Sequence, residues 1–135
     1  HAGFALKQEV QAFLEANGAR TKDFGCYSTE SCDYPDFAHP LGEAIDRGEQ
    51  TMGIVICSTG NGICMTANKH QGVRAALCWD IPLVELARQH NNANVLGLPA
   101  NFVTKEKALE MVRTFFATDF EGGRHERRVN KIACK

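Results

Sequence analysis

Two apolar rhythms alternate along the chain. Leu6, Val10, Phe13 and Leu14 recur at helical spacing on one face, and Gly18 is placed to end that helix. Residues Met52–Cys57 (MGIVIC) form a nearly unbroken apolar run, as a parallel strand covered on both faces requires. Further strands are predicted over Val73–Cys78 and Asn94–Leu98, with a weaker one over Ala19–Phe24. Helices are predicted over Phe37–Arg47, Ile63–His70 and Pro82–His90, Pro82 suiting the first turn of the last. Thr104 caps a helix in which Leu109, Val112 and Phe116 share a face, and a short helix follows Gly122-Gly123. This alternation predicts a three-layer α/β/α sandwich around a parallel, Rossmann-like sheet. It also leads one to expect a strand ahead of the first helix, with His1 at its carboxyl end.

Composition narrows the class. With 135 residues, 44% of them apolar and 23% charged, the chain is read as one domain over residues 1–135 with a substantial core. No apolar run approaches the ~18 residues of a membrane span, and no signal-peptide pattern opens the chain. A net charge of -1 argues against a nucleic-acid partner. The charge is uneven: residues 122–135 carry five Lys or Arg and one Glu, a net of +4. The six cysteines, Cys26, Cys32, Cys57, Cys64, Cys78 and Cys134, contain no C-x-x-C pair and are read as reduced thiols of a cytoplasmic protein. Zinc-ligand spacing is absent, so no metal or other cofactor is expected.

Ligands of open α/β sheets bind outside the carboxyl ends of the strands. Cys57 ends the most apolar strand and precedes Ser58-Thr59-Gly60-Asn61-Gly62, where glycines let backbone N–H groups converge ahead of a helix N-terminus. Such a loop holds a phosphate or a developing oxyanion, and its field favours thiolate, which makes Cys57 a candidate base or nucleophile. A structural cysteine beside a tight turn is the equal alternative. No G-K-[ST] follows the glycines, which excludes a nucleotide P-loop. His90 shares a helical face with Leu83, Leu86 and Ala87. It reads either as a core histidine or, with Asn91 and Asn92 following, as an acid–base group in a polar turn. Arg124, Arg127, Arg128 and Lys131 fall on one face of the last helix. Arginine in a first turn opposes the helix dipole, a cost that a bound phosphate would offset; a solvated basic face is the alternative.

Seven stretches together resemble the ribose-5-phosphate isomerase B family, which includes galactose-6-phosphate and allose-6-phosphate isomerases. They are HAGF (1–4), DYP (33–35), IVICSTGNG (54–62), ANK (67–69), GVRAA (72–76), ARQHNNANVL (87–96) and EGGRHERR (121–128), in order and with matching spacing over the full length. The resemblance implies a five-stranded parallel sheet, assembly as a homodimer or dimer of dimers with active sites at the subunit interface, and a phosphorylated sugar as substrate. It implies metal-free interconversion of ribose 5-phosphate and ribulose 5-phosphate. Cys57 would be the base that moves a proton between C2 and C1, and His90 would assist ring opening. Thr59, Asn61 and Gly62 would stabilise the enediolate, Asn91 would hold sugar hydroxyls and Tyr34 would line the pocket. His1, Arg124 and Arg128 match phosphate-binding positions. Ile63 stands where one branch carries a glutamate base, which assigns this chain to the cysteine branch. Asn101 stands where many members carry Arg, Ser58 where Gly is usual and Cys64 where Ser is common. The alternatives kept open are an isomerase of a six-carbon sugar phosphate and a non-catalytic phosphosugar-binding domain.

Overall fold

The computed structural model describes residues 3–134, so His1 lies outside the described residues. The elements are α1 (Phe4–Ala16), α2 (Pro35–Asp46), β1 (Gly53–Cys57), α3 (Asn61–Ala67), β2 (Ala75–Leu77), α4 (Ile81–Asn91), β3 (Val95–Pro99), α5 (Lys105–Ala117) and α6 (Arg124–Val129). The three strands are parallel in the order β1-β3-β2, with Gly53 opposite Val95, and Ala75 opposite Val95 on the other side. Central β3 is buried along its whole length, as expected of a strand paired on both edges and covered on both faces.

Two apolar clusters cover the sheet. On one face α1, α4 and α5 bury Val10, Val84, Leu96, Leu98, Met111, Val112 and Phe115. On the other, α2 and α3 bury Ala38, Leu41, Ile45, Ile63 and Ala67 against Val55 and Val95. The α/β class with helices on a parallel sheet is therefore present.

Several details differ from the sequence reading. Residues 19–24 form no strand, and the described sheet has three strands. The free edge of β1 instead borders a cleft of about 720 Å³, lined by Phe13, Leu14, Phe24, Phe37, Leu41 and Ile56 among others. On α5 the core residue is Phe115, fully buried, whereas Phe116 is 45% exposed: the apolar face is centred one position earlier than expected. Leu86 is likewise exposed while Ala87 is buried, because α4 turns its Val84–Ala87–Arg88 side to the core. Arg88 is the one buried charged side chain among the described residues. Its guanidinium donates to the carbonyls of Thr118 (2.9 Å) and Ala93 (2.6 Å) and to Asn92 Oδ1 (3.1 Å), so the burial is compensated by charge-assisted bonds.

The buried thiols make stability sensitive to alkali. Burial pushes Cys64 up to about 12 and Cys78 up to about 11, from an ordinary value of 9.0. The folded state thus holds these protons more tightly than the unfolded chain, and their contribution is complete below pH 9. We expect unfolding free energy to fall as pH rises from 9 through 11 to 12. Urea melts across that range, with and without Cys64→Ser and Cys78→Ser, measure the slope and its loss.

Candidate active site

The chain turns sharply where β1 ends. Gly60 takes a left-handed conformation (φ 78°) that caps α3, and a side chain there would strike Leu77. The turn folds the loop back over the strand end, so that the Gly60 N–H donates to Cys57 Sγ at 3.2 Å and the Asn61 N–H donates to Thr59 Oγ1 at 3.2 Å. The first turn of α3 adds backbone N–H groups with no helical acceptor. The loop after β3 lies alongside: Ala100 N–H donates to the Cys57 carbonyl (2.9 Å) and Asn101 N–H to the Ser58 carbonyl (3.1 Å). Asn101 thus sits at the rim of the same crevice. Tyr34 is the N-cap of α2, because Pro35 at the first helical position presets the backbone. Its phenol lies against Gly62; an added Cβ there would come 2.5 Å from the hydroxyl oxygen. Cys57, Thr59, Asn61, Gly62 and Tyr34 are therefore brought together at the carboxyl end of the sheet.

His90, Asn91, Arg124 and Arg128 are brought together elsewhere. Helix α4 begins just after the carboxyl end of β2 and returns to the amino end of β3, as any crossover between parallel strands must. Its eleven residues span about 16 Å at 1.5 Å each, which sets His90 and Asn91 on the amino-end side, far from Cys57 of the same chain. Asn92 ends the helix in a left-handed conformation (φ 47°), held by Arg88. Against this corner packs α6. The rings of His90 and His125 stack at 4.2 Å between centroids and 12° between planes. Glu121 Oε1 lies 3.9 Å from His90 Nε2 and 3.8 Å from His125 Nε2. Desolvation, then the neighbouring His90 and Arg124, lowers the His125 pKa; the Glu121 carboxylate opposes this and Arg128 adds to it. Arg124 and Arg128 project from α6 into solvent.

Glu121, His125 and Arg88 were not singled out as site residues in the sequence. For Glu121 and His125 the signal is the run Glu121-Gly122-Gly123-Arg124-His125, whose two positive-φ glycines (70° and 57°) turn both residues back toward His90.

Burial ranks the thiols. Cys57 is part-exposed, whereas Cys64 and Cys78 are 6% and 1% exposed and their thiols are raised by that burial. We expect iodoacetamide at pH 8 to alkylate Cys57 in the native protein well before Cys64 or Cys78. Peptide mass mapping over time checks the order; labelling of Cys64 first would contradict it.

The profile of the Ribose/Galactose Isomerase family matches residues 1–132. Ribose-5-phosphate isomerase B of Escherichia coli K12 is 42% identical over 134 residues, covering 99% of this chain and 90% of that protein. A probable ribose-5-phosphate isomerase B of Mycoplasma genitalium is also 42% identical, covering 98% and 88%. Among solved structures, ribose 5-phosphate isomerase from Thermotoga maritima superposes with a TM-score of 0.96 at 47% identity, covering 98% of this chain and 92% of that one. The Mycoplasma genitalium enzyme with bound ribulose-5-phosphate gives 0.94 at 42% identity, covering 98% and 88%.

Proposed function

The chain belongs to the ribose/galactose isomerase family and is a sugar-phosphate isomerase, and from that premise we propose that it interconverts ribose 5-phosphate and ribulose 5-phosphate at a site shared between two copies of the chain. The observation that carries this reading is the strand-end arrangement of Cys57 beneath the Gly60 N–H, followed by the first-turn amides of α3 at Asn61 and Gly62.

The chemistry runs in two stages. His90 takes the proton of the anomeric hydroxyl and returns one to the ring oxygen, which opens the sugar to the aldehyde. The Cys57 thiolate then removes the proton from C2, and the electron pair moves through C1 to the carbonyl oxygen. Thr59 and the amides of Asn61 and Gly62 stabilise the resulting enediolate. Return of the proton to C1, with transfer of the O2 proton to O1, completes the ketose. Asn91 holds sugar hydroxyls, Tyr34 closes one wall, and His1, Arg124 and Arg128 clamp the phosphate, whose remote binding energy orients C1 and C2. No metal or cofactor enters these steps.

Two clusters at opposite ends of one sheet cannot hold one five-carbon sugar. A homodimer that sets the Cys57 end of one copy against the α4–α6 corner of the other resolves this. The cleft beside the unpaired edge of β1 supports reading the sheet as five-stranded, since that edge is open to further strand pairing. No described helix is long and apolar enough to cross a membrane. We place the protein in the cytoplasm, where its thiols stay reduced.

Turnover of ribose 5-phosphate, compared with allose 6-phosphate and galactose 6-phosphate, tests the substrate. Preference for a hexose would overturn the pentose assignment and put Asn101 in an altered pocket; no turnover of any would leave only a binding domain. Sharing has its own test. Cys57→Ala and His90→Ala, each inactive, are mixed under exchange conditions; one intact site per mixed dimer restores roughly a quarter of wild-type activity. No recovery despite exchange would place both residues in one subunit's site.

A further inference from the structure

The α4–α6 corner carries a ligand set that the isomerisation does not use as such. We propose that His90, Glu121 and His125 bind one divalent transition-metal ion of the zinc type, and that the bound ion withdraws His90 from ring opening.

The donors come from three separate places: the end of α4, the loop after α5, and the first turn of α6. Only folding brings His90 to Glu121 and His125, which stand four residues apart. One ligand atom from each residue lies within 4.8 Å of the other two. An ion equidistant from three such atoms sits no more than about 2.8 Å from each, against ~2.0–2.2 Å for zinc bonds to imidazole or carboxylate. The difference closes by small rotations of Glu121 and His90, whose side chains are 52% and 40% exposed. His125 is the fixed member, its side chain 12% exposed and its ring stacked on His90. The backbone of Glu121 is held by its N–H on the Gln89 carbonyl at 3.1 Å, next to His90.

The chemistry of the set selects the ion. Two imidazoles and one carboxylate favour zinc or its neighbours over magnesium and calcium, which take oxygen. Such a set leaves a coordination position open for water. Imidazoles must be neutral to ligate, so affinity falls as the medium is acidified. Arg124 and Arg128 on the same helix oppose a cation and moderate the affinity. A zinc-bound imidazole has no lone pair for the anomeric proton, so the ion stops ring opening.

The blocking effect rests on the isomerase reading, whereas binding is measured without it. The chelator-stripped protein is titrated with Co²⁺ and followed by visible absorption, and with Zn²⁺ by calorimetry. We expect one equivalent bound, ligand-field bands without a thiolate-to-cobalt charge-transfer band, and affinity lowered at least ~10-fold by Glu121→Gln and by His125→Ala, the least that loss of even an outer-shell partner costs. Glu121→Gln is an exposed, near-isosteric change, so it decides the matter if His125→Ala fails to fold. Absence of binding, a thiolate band, or an affinity unchanged in Glu121→Gln would overturn the site. Zn²⁺ should inhibit isomerisation reversibly, with chelator restoring it; binding with full activity would overturn the blocking role. Co²⁺ bound at the corner of a protein that turns over no sugar phosphate would sink the isomerase reading and leave the metal site standing.

Discussion

Replacing Cys57 with Ala lowers kcat for aldose–ketose isomerisation by ~10²–10⁴-fold, the range a positioned acid–base group supplies, with little change in stability. Cys57 sits at the end of a strand already held by the sheet register and by the Ala100 N–H on its carbonyl. Losing Sγ frees only the Gly60 N–H at 3.2 Å, in a part-exposed turn where water can reach it. The fold therefore survives and the chemistry does not. The same variant should cease to exchange the substrate's C2 hydrogen with deuterated solvent, because no other group there removes it. Steady-state kinetics, a thermal melt and NMR of the recovered sugar read the three arms. Retention of isotope exchange in a folded Cys57→Ala protein would assign the proton transfer to another residue.

The largest expected loss of stability comes from a residue remote from that chemistry. Phe115 is fully buried between α5 and the sheet, and truncation to Ala costs about 3–5 kcal/mol through lost transfer energy and the cavity left behind. Its ring also lies 5.8 Å from the Arg88 guanidinium, which holds the left-handed end of α4 through Asn92 and Ala93. The cavity thus opens beneath the arginine that holds the end of α4. Chemical denaturation should show the midpoint shift, with Tm lower by roughly 10–20 °C. Phe116→Ala serves as the control: that ring is 45% exposed, and its loss should cost far less. Equal costs for the two would mean that α5 faces the core differently from the arrangement described.

Much of this was readable beforehand, and the failures have physical causes. The MGIVIC run reads as a parallel strand and the glycine-bearing stretch after it as a loop; both are present, although only Val55 of β1 is buried. Helices α2 and α3 begin two residues earlier than their apolar pattern suggests, because Pro35 and the Gly60 cap start them before their first buried side chain. Residues 19–24 have strand-like composition but no paired neighbour, and pairing decides whether an extended segment is a strand. The Phe115–Phe116 misassignment is a one-step phase error, about 100° on a helix, which spacing among three residues does not resolve. The separation of His90 from Cys57 follows from connectivity, since a crossover helix must end on the opposite side from where it starts. Glu121 and His125 stand four residues apart, a spacing that points to no shared site until folding brings His90 from α4 against them.

The contact between Gly62 and Tyr34 constrains how this protein can change over generations. A methyl group at position 62 would come 2.5 Å from the phenol oxygen, so the ring must swing aside. Tyr34 is 44% exposed, and moving it costs little folding energy. What it loses is its place on the wall of the crevice. A change of Gly62 to alanine is therefore acceptable only after position 34 has become small, and the order of the two substitutions matters. Kinetics of Gly62→Ala, Tyr34→Ala and the double variant should show strong non-additivity in KM beside near-additive melting temperatures. Lineages of this chain would be expected to cross between the two pairings through a small residue at 34, never through a large one facing a methyl group.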